Sequence, residues 1–154
     1  MSRKLKSCIV FTLISLGAGA LSSLASGAFG DTYSKLALPD FAPPGAVFPV
    51  VWTVIYILTG IGAGIAYASF SPRRARALTY YALQAAVNFM WPVIFFARGK
   101  YAAAFLWLLL LLFTVCAMTL QFAKINKTAA FLQLPYIAWV IFAGVLNLYA
   151  ALMN

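Results

Sequence analysis

Five long apolar stretches follow one another along the chain, separated by polar segments. They cover roughly residues 8–28, 47–70, 77–97, 101–123 and 128–153. A bilayer core about 30 Å thick is crossed by about 20 helical residues at 1.5 Å each, and every stretch reaches that length. The pattern therefore predicts an all-α integral membrane protein, a bundle of five transmembrane helices that forms one domain over residues 1–154.

The polar segments between the stretches are of two kinds. Three are short turns at residues 71–76, 97–100 and 123–128, which place consecutive helices antiparallel. The remaining connection, about residues 29–46, is longer and holds Pro39, Pro43 and Pro44 together with both acids of the chain, Asp31 and Asp40. We expect it to form a structured loop at one membrane surface.

Composition agrees with a chain that lies almost entirely in lipid. Of the 154 residues, 65% are hydrophobic and 8% are charged, against about a quarter charged in soluble globular proteins. The net charge is +9, but the basic residues form short clusters between the apolar runs. Such clusters are typical of topology signals and of contacts with membrane lipid, and they argue against nucleic acid as a partner.

The basic clusters also predict the orientation of the bundle. Eight Lys and Arg residues lie in the amino-terminal tail and the second and fourth loops, and three lie on the other side. The positive-inside rule then places the amino terminus in the cytoplasm, with the long first loop and the carboxyl terminus on the opposite side. A cleaved signal peptide is an alternative interpretation of the first stretch, although the length of that stretch favours a retained helix.

Ionisable side chains are almost absent from the apolar stretches, and this restricts the available chemistry. The chain has no His, and Cys8 and Cys116 lie in different apolar runs without metal-ligand spacing. We therefore expect no metal site and no required cofactor. No span contains His, Asp or Glu, which hydrolytic catalysis and proton-coupled export usually require. Both functions are therefore disfavoured.

Aromatic and amide side chains recur at helical spacing in three stretches. The shared faces are Phe48, Trp52 and Tyr56 in the second, Gln84, Asn88 and Trp91 in the third, and Trp139, Ala143 and Asn147 in the fifth. An amide in hydrocarbon is unfavourable unless it points into the bundle or a cavity. We expect an outward-opening aromatic pocket beneath the Pro-rich loop, suited to a large flat apolar ligand. The alternative is that Asn88 and Asn147 only form interhelical hydrogen bonds that hold the bundle.

Three cations lie on the same side as this pocket, namely Lys35, Arg98 and Lys100. They could pair with carboxylates at the edge of a ligand, or they could extend to lipid headgroups.

Small residues supply helix contacts at positions 60, 62 and 64 in the second stretch. Packing within one bundle is favoured for these glycines over contacts between two copies.

The motifs resemble those of a known family. The residues that carry the resemblance are Tyr33, Leu36, Pro39, Phe41, Pro43, Pro44, Phe48, Pro49, Trp52 and Tyr56, then Asn88, Phe89, Trp91, Pro92, Phe95 and Phe96, and finally Leu134, Pro135, Tyr136, Trp139, Phe142, Ala143, Leu146 and Asn147. Their spacing resembles the tryptophan-rich sensory proteins, the TspO family related to the mitochondrial translocator protein or peripheral benzodiazepine receptor. The resemblance covers essentially the whole chain.

The resemblance implies a function and a set of site residues. Family members are five-helix bundles, commonly homodimeric, that bind porphyrins such as protoporphyrin IX, sterols in some members, and isoquinoline or benzodiazepine-type ligands. The family's pocket positions correspond here to Trp52, Asn88, Trp91, Tyr136, Trp139, Ala143 and Asn147. The loop above the pocket would act as a lid, formed by Tyr33, Pro39, Phe41, Pro43 and Pro44.

Two departures from the family pattern qualify these expectations. Thr32 and Phe41 stand where the family often has Trp, and Tyr149 is followed by no Arg or Lys, so the sterol-recognition pattern is incomplete.

The leading hypothesis is a porphyrin-binding membrane receptor, sensor or translocator. An enzyme that degrades porphyrin oxidatively is the alternative, with Trp91 and Trp139 as redox-active side chains. A small-molecule exporter is a third hypothesis, disfavoured by the lack of an intramembrane acid.

Overall fold

The computed structural model describes residues 2–27 and 29–154, and this part of the chain is helical with short connections. The helices are α1 (Arg3–Ser26), α2 (Phe29–Ser34), α3 (Val47–Ala68), α4 (Arg74–Pro92) with a π-helical turn (Val93–Ala97), α5 (Tyr101–Ala123), α6 (Lys127–Phe131) and α7 (Leu134–Met153). Five helical segments are long and apolar enough to cross a membrane: α1, α3, α4 with its π-helical turn, α5, and α6 together with α7. The predicted five-span, all-α fold is confirmed.

The first span begins earlier than the apolar pattern indicates. Ser2 caps α1, because its Oγ accepts a hydrogen bond from the Leu5 backbone N–H at 3.3 Å, so the helix starts at Arg3 instead of residue 8. Gly27 ends the helix with a φ of 74°, a conformation that favours glycine. The predicted last residue of this span, 28, lies outside the described residues.

The fifth span, predicted to be continuous over 128–153, is interrupted after α6. Pro135 stands in the first turn of α7, where its missing N–H costs no helical hydrogen bond. Gln133 precedes it and is fully buried, and its Nε2 donates to the Ala129 carbonyl oxygen at 3.0 Å and to that of Leu58 at 3.4 Å. The Gln133 side chain therefore connects the break between α6 and α7 to α3 by a hydrogen bond.

The third span also changes its geometry near the first loop. Pro92 cannot donate a backbone hydrogen bond, and beyond it the helix widens into the π-helical turn, in which the Arg98 N–H bonds the Val93 carbonyl oxygen at 3.1 Å. The turn directs Phe95 and Phe96 into the bundle, and both rings are buried.

Glycines allow α1 and α3 to touch through their backbones. A Cβ added at Gly60 would collide with the backbone of Thr12, and one added at Gly64 would collide with that of Cys8. Gly62 lies on another face of α3, against the side chain of Gln133. These contacts are within one bundle, as the sequence favoured, and they hold α1 and α3 together in the half nearest the amino terminus.

The first loop and the carboxyl terminus meet at the opposite end of the bundle. The Asn154 Oδ1 accepts a hydrogen bond from the Ala37 N–H at 2.9 Å, and its Nδ2 donates to the Ala37 carbonyl oxygen at 3.2 Å. The first loop and the carboxyl terminus therefore lie at the same end of the bundle, which agrees with the predicted topology. That the amino-terminal end faces the cytoplasm stays a prediction.

Candidate functional site

A cavity of about 440 Å³ lies between α1 and α3, on the first-loop side of the Gly60 contact. Its floor and walls come from α1, from α3, and from α4 with the π-helical turn. The size falls within the range of about 300–1,000 Å³ that is typical of small-molecule sites. The backbone contacts at Gly60 and Gly64 lie beyond its inner end, and α1 contributes small residues such as Ala20 and Ser23 to its walls.

One wall of the cavity is a continuous aromatic surface. It consists of Phe48, Trp52 and Tyr56 of α3 with Trp91 and Phe96 from the third span. The Trp52 and Tyr56 rings are stacked, with centroids 5.7 Å apart and planes 27° apart. Trp91 lies 6.4 Å from Trp52 and meets Phe96 edge to face at 5.9 Å. Such a wall offers broad ring faces to a flat apolar ligand.

The facing wall belongs to α1 and is lined by small and hydroxyl side chains. The Ser22 Oγ donates to the Phe89 carbonyl oxygen at 2.8 Å, and the Ser26 Oγ donates to that of Ser23 at 2.8 Å. Each hydroxyl oxygen can still accept a hydrogen bond. A Cβ added at Gly19 would collide with the Tyr56 ring, so this glycine lets Tyr56 close the inner end of the cavity.

Sequence reasoning missed this α1 wall. The signal was available, because the buried side chains of α1 are serines, at positions 7, 15, 22 and 26. A hydroxyl recurring at helical spacing on one face of an otherwise apolar span marks the face that turns away from lipid.

The cavity opens toward the side of the bundle. Ala20 and Ser23 on α1, and Pro49 and Thr53 on α3, line it and are exposed. These four positions form the mouth between the two helices, and in a transmembrane bundle a mouth in this position faces lipid. The sequence had predicted an opening beneath the Pro-rich loop, and it had not considered a mouth between α1 and α3.

The buried amides predicted to line the pocket lie behind Tyr56 instead. The Asn88 Nδ2 donates to the Tyr136 Oη at 2.8 Å, and the Tyr136 hydroxyl donates to the Gln84 Oε1 at 2.9 Å. The Gln84 Nε2 donates to the Tyr81 carbonyl oxygen at 3.1 Å. These side chains border a void of about 10 Å³, large enough for about one water, and they link α4 to α7.

A second hydrogen-bonded pair fixes the aromatic wall from behind. The Trp91 Nε1 donates to the Asn147 Oδ1 at 3.1 Å, and the Asn147 Nδ2 donates to the Tyr101 carbonyl oxygen at 2.8 Å. Ala143 and Asn147 border a void of about 20 Å³ on the far side of Trp91. Asn147 therefore positions Trp91 from outside the cavity.

Trp139 also lies outside the main cavity. Its ring packs edge to face on Phe48 at 5.4 Å and lies 5.5 Å from Phe142. Its Nε1 is buried and has no hydrogen-bond partner among the described residues. Of the ten predicted ligand contacts, the structure gathers Phe48, Trp52, Tyr56 and Trp91 on the cavity and places the other six in packing and hydrogen bonds around it.

The predicted lid folds onto the top of α3 and α7. The Tyr33 hydroxyl donates to the Pro43 carbonyl oxygen at 2.7 Å, and its ring lies 5.0 Å from that of Phe48. Burial raises the pKa of Tyr33 above its ordinary value of 10.0, so the phenol remains a donor at neutral pH. Phe41 is 60% exposed and lies 6.5 Å from Phe142.

The backbone of the lid is held by its own prolines. The Pro39 carbonyl oxygen accepts from the Ala42 N–H at 2.9 Å, and that of Pro44 accepts from the Val47 N–H at 2.9 Å, which starts α3. The loop is thus an ordered cover for α3 and α7, as predicted, while the cavity mouth lies to its side.

Comparison with known proteins agrees with the motifs on these helices. The model of the TspO/MBR family matches residues 9–153. The chain belongs to the TspO/MBR family. Protein CrtK of Rhodobacter capsulatus is 35% identical over 132 residues, which are 84% of this chain and 81% of that protein. The tryptophan-rich sensory protein of Cereibacter sphaeroides is 32% identical over 79% of this chain and 76% of its own. The translocator protein of Homo sapiens is 33% identical over 141 residues, 89% of this chain and 83% of its own.

In this TspO/MBR protein the charged residues lie at the two ends of the bundle. Lys35, Arg98 and Lys100 are exposed at the end that carries the first loop, and the other eight cations lie at the amino-terminal end. Within residues 2–27 and 29–154 there is no cluster of three or more His, Cys, Asp or Glu side chains that could hold a metal ion. The cavity lining therefore offers ring faces and hydroxyl groups and contains no charged side chain among the described residues.

Proposed function

We propose that this TspO/MBR protein acts through the cavity between α1 and α3, as a membrane receptor or translocator that binds a porphyrin such as protoporphyrin IX. Family membership supports the role of a membrane receptor, sensor or translocator. The observation that carries the choice of ligand is the aromatic wall, where Trp52 and Trp91 line one space with ring centroids 6.4 Å apart. A porphyrin is a large flat apolar ring, and stacking on such faces favours it.

The polar groups around the cavity suit the edge of a porphyrin. The α1 hydroxyls of Ser22 and Ser26 face the aromatic wall and can accept hydrogen bonds. Arg98 and Lys100 follow directly on the turn that contributes Phe96, and they could pair with propionates that point toward the first loop. A free-base porphyrin fits this set better than haem, because the chain has no His to ligate iron.

Tryptophan fluorescence provides the test, because two of the four tryptophans line the cavity. Purified protein in detergent micelles is titrated with protoporphyrin IX, and the dissociation constant is read from the quenching. Trp52→Leu removes one stacking face, which is worth about 1–3 kcal/mol when an aromatic side chain is truncated. We expect it to weaken binding about 5- to 150-fold.

Two matched controls sharpen this test. Trp107→Leu removes a tryptophan of α5 whose Nε1 donates to the Val87 carbonyl oxygen at 2.7 Å, away from the cavity, and should leave affinity unchanged. Trp139→Leu distinguishes the observed cavity from the pocket predicted by sequence, since only the latter includes Trp139. Unchanged affinity in folded Trp52→Leu protein would reject the proposal. A loss confined to Trp139→Leu would move the site to the far side of Phe48.

A further inference from the structure

Two arginines that are distant in sequence meet at the end of the bundle opposite the first loop. The Arg3 guanidinium carbon lies 4.9 Å from the centre of the Phe70 ring and 6.0 Å from that of Tyr67. The Arg74 guanidinium carbon lies 5.4 Å from the Tyr67 ring centre. Both cations thus lie within the distance of a cation–π contact of the Tyr67 ring, and Arg3 also contacts Phe70.

The helix packing described above produces this meeting. The backbone contact of Gly64 with Cys8 brings the start of α1 beside the end of α3. Phe11 reinforces the contact, since its ring lies 5.3 Å from that of Tyr67. Arg74 begins α4 directly after the connection that carries Phe70. The cluster is therefore a consequence of the fold and does not depend on one flexible side chain.

Among the side chains that the structure describes, no carboxylate lies beside these two charges. The only acids are Asp31 and Asp40, in the segment that joins the far ends of α1 and α3. These helices have 24 and 22 residues, so that segment begins about 33–36 Å away. Neither α1 nor α4 has an acid in its first turn, where the free N–H groups carry the positive end of the helix dipole. Local positive charge is therefore unbalanced.

The surroundings of the cluster match the headgroup layer of a membrane. Phe70 is 89% exposed, in the connection between two transmembrane helices, which is where interfacial aromatic residues are enriched. A guanidinium that contacts a ring still carries N–H groups that can donate to another partner, and its planar fork matches a phosphate in bidentate geometry.

We propose that Arg3, Arg74, Tyr67 and Phe70 form a binding site for the headgroup phosphate of an anionic phospholipid. Both guanidinium groups donate to the phosphate oxygens, and the exposed Phe70 ring contacts the glycerol and upper acyl region. That apolar contact favours a lipid over a soluble phosphate, which offers nothing to an exposed ring. The site lies at the opposite end from the α1–α3 cavity and does not depend on porphyrin binding.

Native mass spectrometry of the full-length protein tests the site. The protein is released from micelles that contain equimolar phosphatidylglycerol and phosphatidylcholine with identical acyl chains, and the ratio of retained lipids is measured. We expect phosphatidylglycerol to be preferred. Arg3→Gln with Arg74→Gln should reduce that preference about tenfold or more for each arginine, the ratio that matches the loss of one hydrogen bond to a charged group.

The matched control carries the same loss of charge at the same end of the bundle. Arg73→Gln with Arg76→Gln changes the two arginines that flank Arg74, and neither makes a ring contact in the cluster. This control should keep most of the preference. An equal loss in both double variants would assign the effect to general charge and overturn the site. Folding of each variant is checked by circular dichroism and size exclusion.

A second arm of the experiment separates a lipid from a soluble anion. Inorganic phosphate is added at millimolar concentration, and the thermal midpoint of unfolding is compared with that in added phosphatidylglycerol. We expect an increase with the lipid that is lost in Arg3→Gln/Arg74→Gln protein, and none with phosphate. Equal stabilisation by inorganic phosphate would overturn the assignment to a lipid.

Discussion

Replacing Gly60 by alanine should destabilise the bundle, because the new methyl group has no space. The Cβ would collide with the Thr12 backbone and would lie 2.7 Å from the Phe11 carbonyl oxygen. Ordinary contacts lie at about 3.5–4.0 Å, so α1 must move away by roughly 1 Å. These neighbours are backbone atoms and cannot rotate aside. Overpacking of this kind costs about 1–3 kcal/mol, and the better helix propensity of alanine offsets up to about 1 kcal/mol.

We therefore expect the Gly60→Ala free energy of unfolding to fall by about 1–2 kcal/mol. The assay is reversible unfolding in mixed micelles with increasing sodium dodecyl sulfate, followed by far-ultraviolet circular dichroism. Gly17→Ala is the matched control, because a Cβ at Gly17 meets no described atom within 4 Å. It should be neutral or should stabilise by up to about 1 kcal/mol. If the two variants have equal stability, the backbone contact of α1 with α3 is not as close as the structure shows.

Three further predictions use the same protein in micelles. Asn147→Leu should lower the free energy of unfolding by about 1–3 kcal/mol, because the Trp91 N–H loses its hydrogen-bond acceptor. Unchanged stability would show that Asn147 does not hold Trp91 in place. The free energy of unfolding of Thr59→Val should be within about 1 kcal/mol of the wild-type value or above it, because the buried Thr59 hydroxyl has no hydrogen-bond partner among the described residues. A larger loss of stability would show that the hydroxyl does have a partner. Ala20→Phe should fill the cavity mouth and weaken protoporphyrin IX about tenfold or more by fluorescence, with outward-facing Leu24→Phe as the neutral control. Equal affinities for these two variants would place the ligand elsewhere.

The number of spans and their inner faces followed from local properties of the sequence. A run of about 20 apolar residues identifies a span whatever surrounds it. The spacing of amides likewise identified an inner face, and Asn88 and Asn147 are 3% and 1% exposed. The alternative considered for them, that they hold the bundle by hydrogen bonds, describes their contacts in the structure.

The position of the open space could not be predicted in the same way. Phe48, Trp52 and Tyr56 share one face of α3, but a ring has two sides, and the sequence does not tell which side meets another helix. The answer depends on where α1 packs against α3, and the contact of Gly60 with Thr12, one helical turn beyond Tyr56, is part of that packing. Small residues on α1 then leave the space unfilled. Both features are tertiary, so the aromatic pattern alone could not indicate which of the predicted residues border the cavity.

Local breaks in the helices were also ambiguous in sequence. Pro135 lies in the first turn of α7, yet the same residue inside a continuous span would only kink it. The deciding partner is Gln133, whose side chain bonds the α3 backbone at Leu58. Without knowledge of that neighbour, a continuous fifth helix was the simpler prediction.

The distribution of polar groups bears on the proposed ligand. The interior amides of Gln84, Asn88 and Asn147 are engaged by tyrosine and tryptophan side chains and by backbone carbonyls, and so they stabilise helix packing. The charges lie at the two ends of the bundle. Selectivity in the cavity must therefore come from ring stacking and shape, and ion pairing can act only on those parts of a ligand that reach the outer end. A flat apolar ring with anionic groups at one edge matches this division.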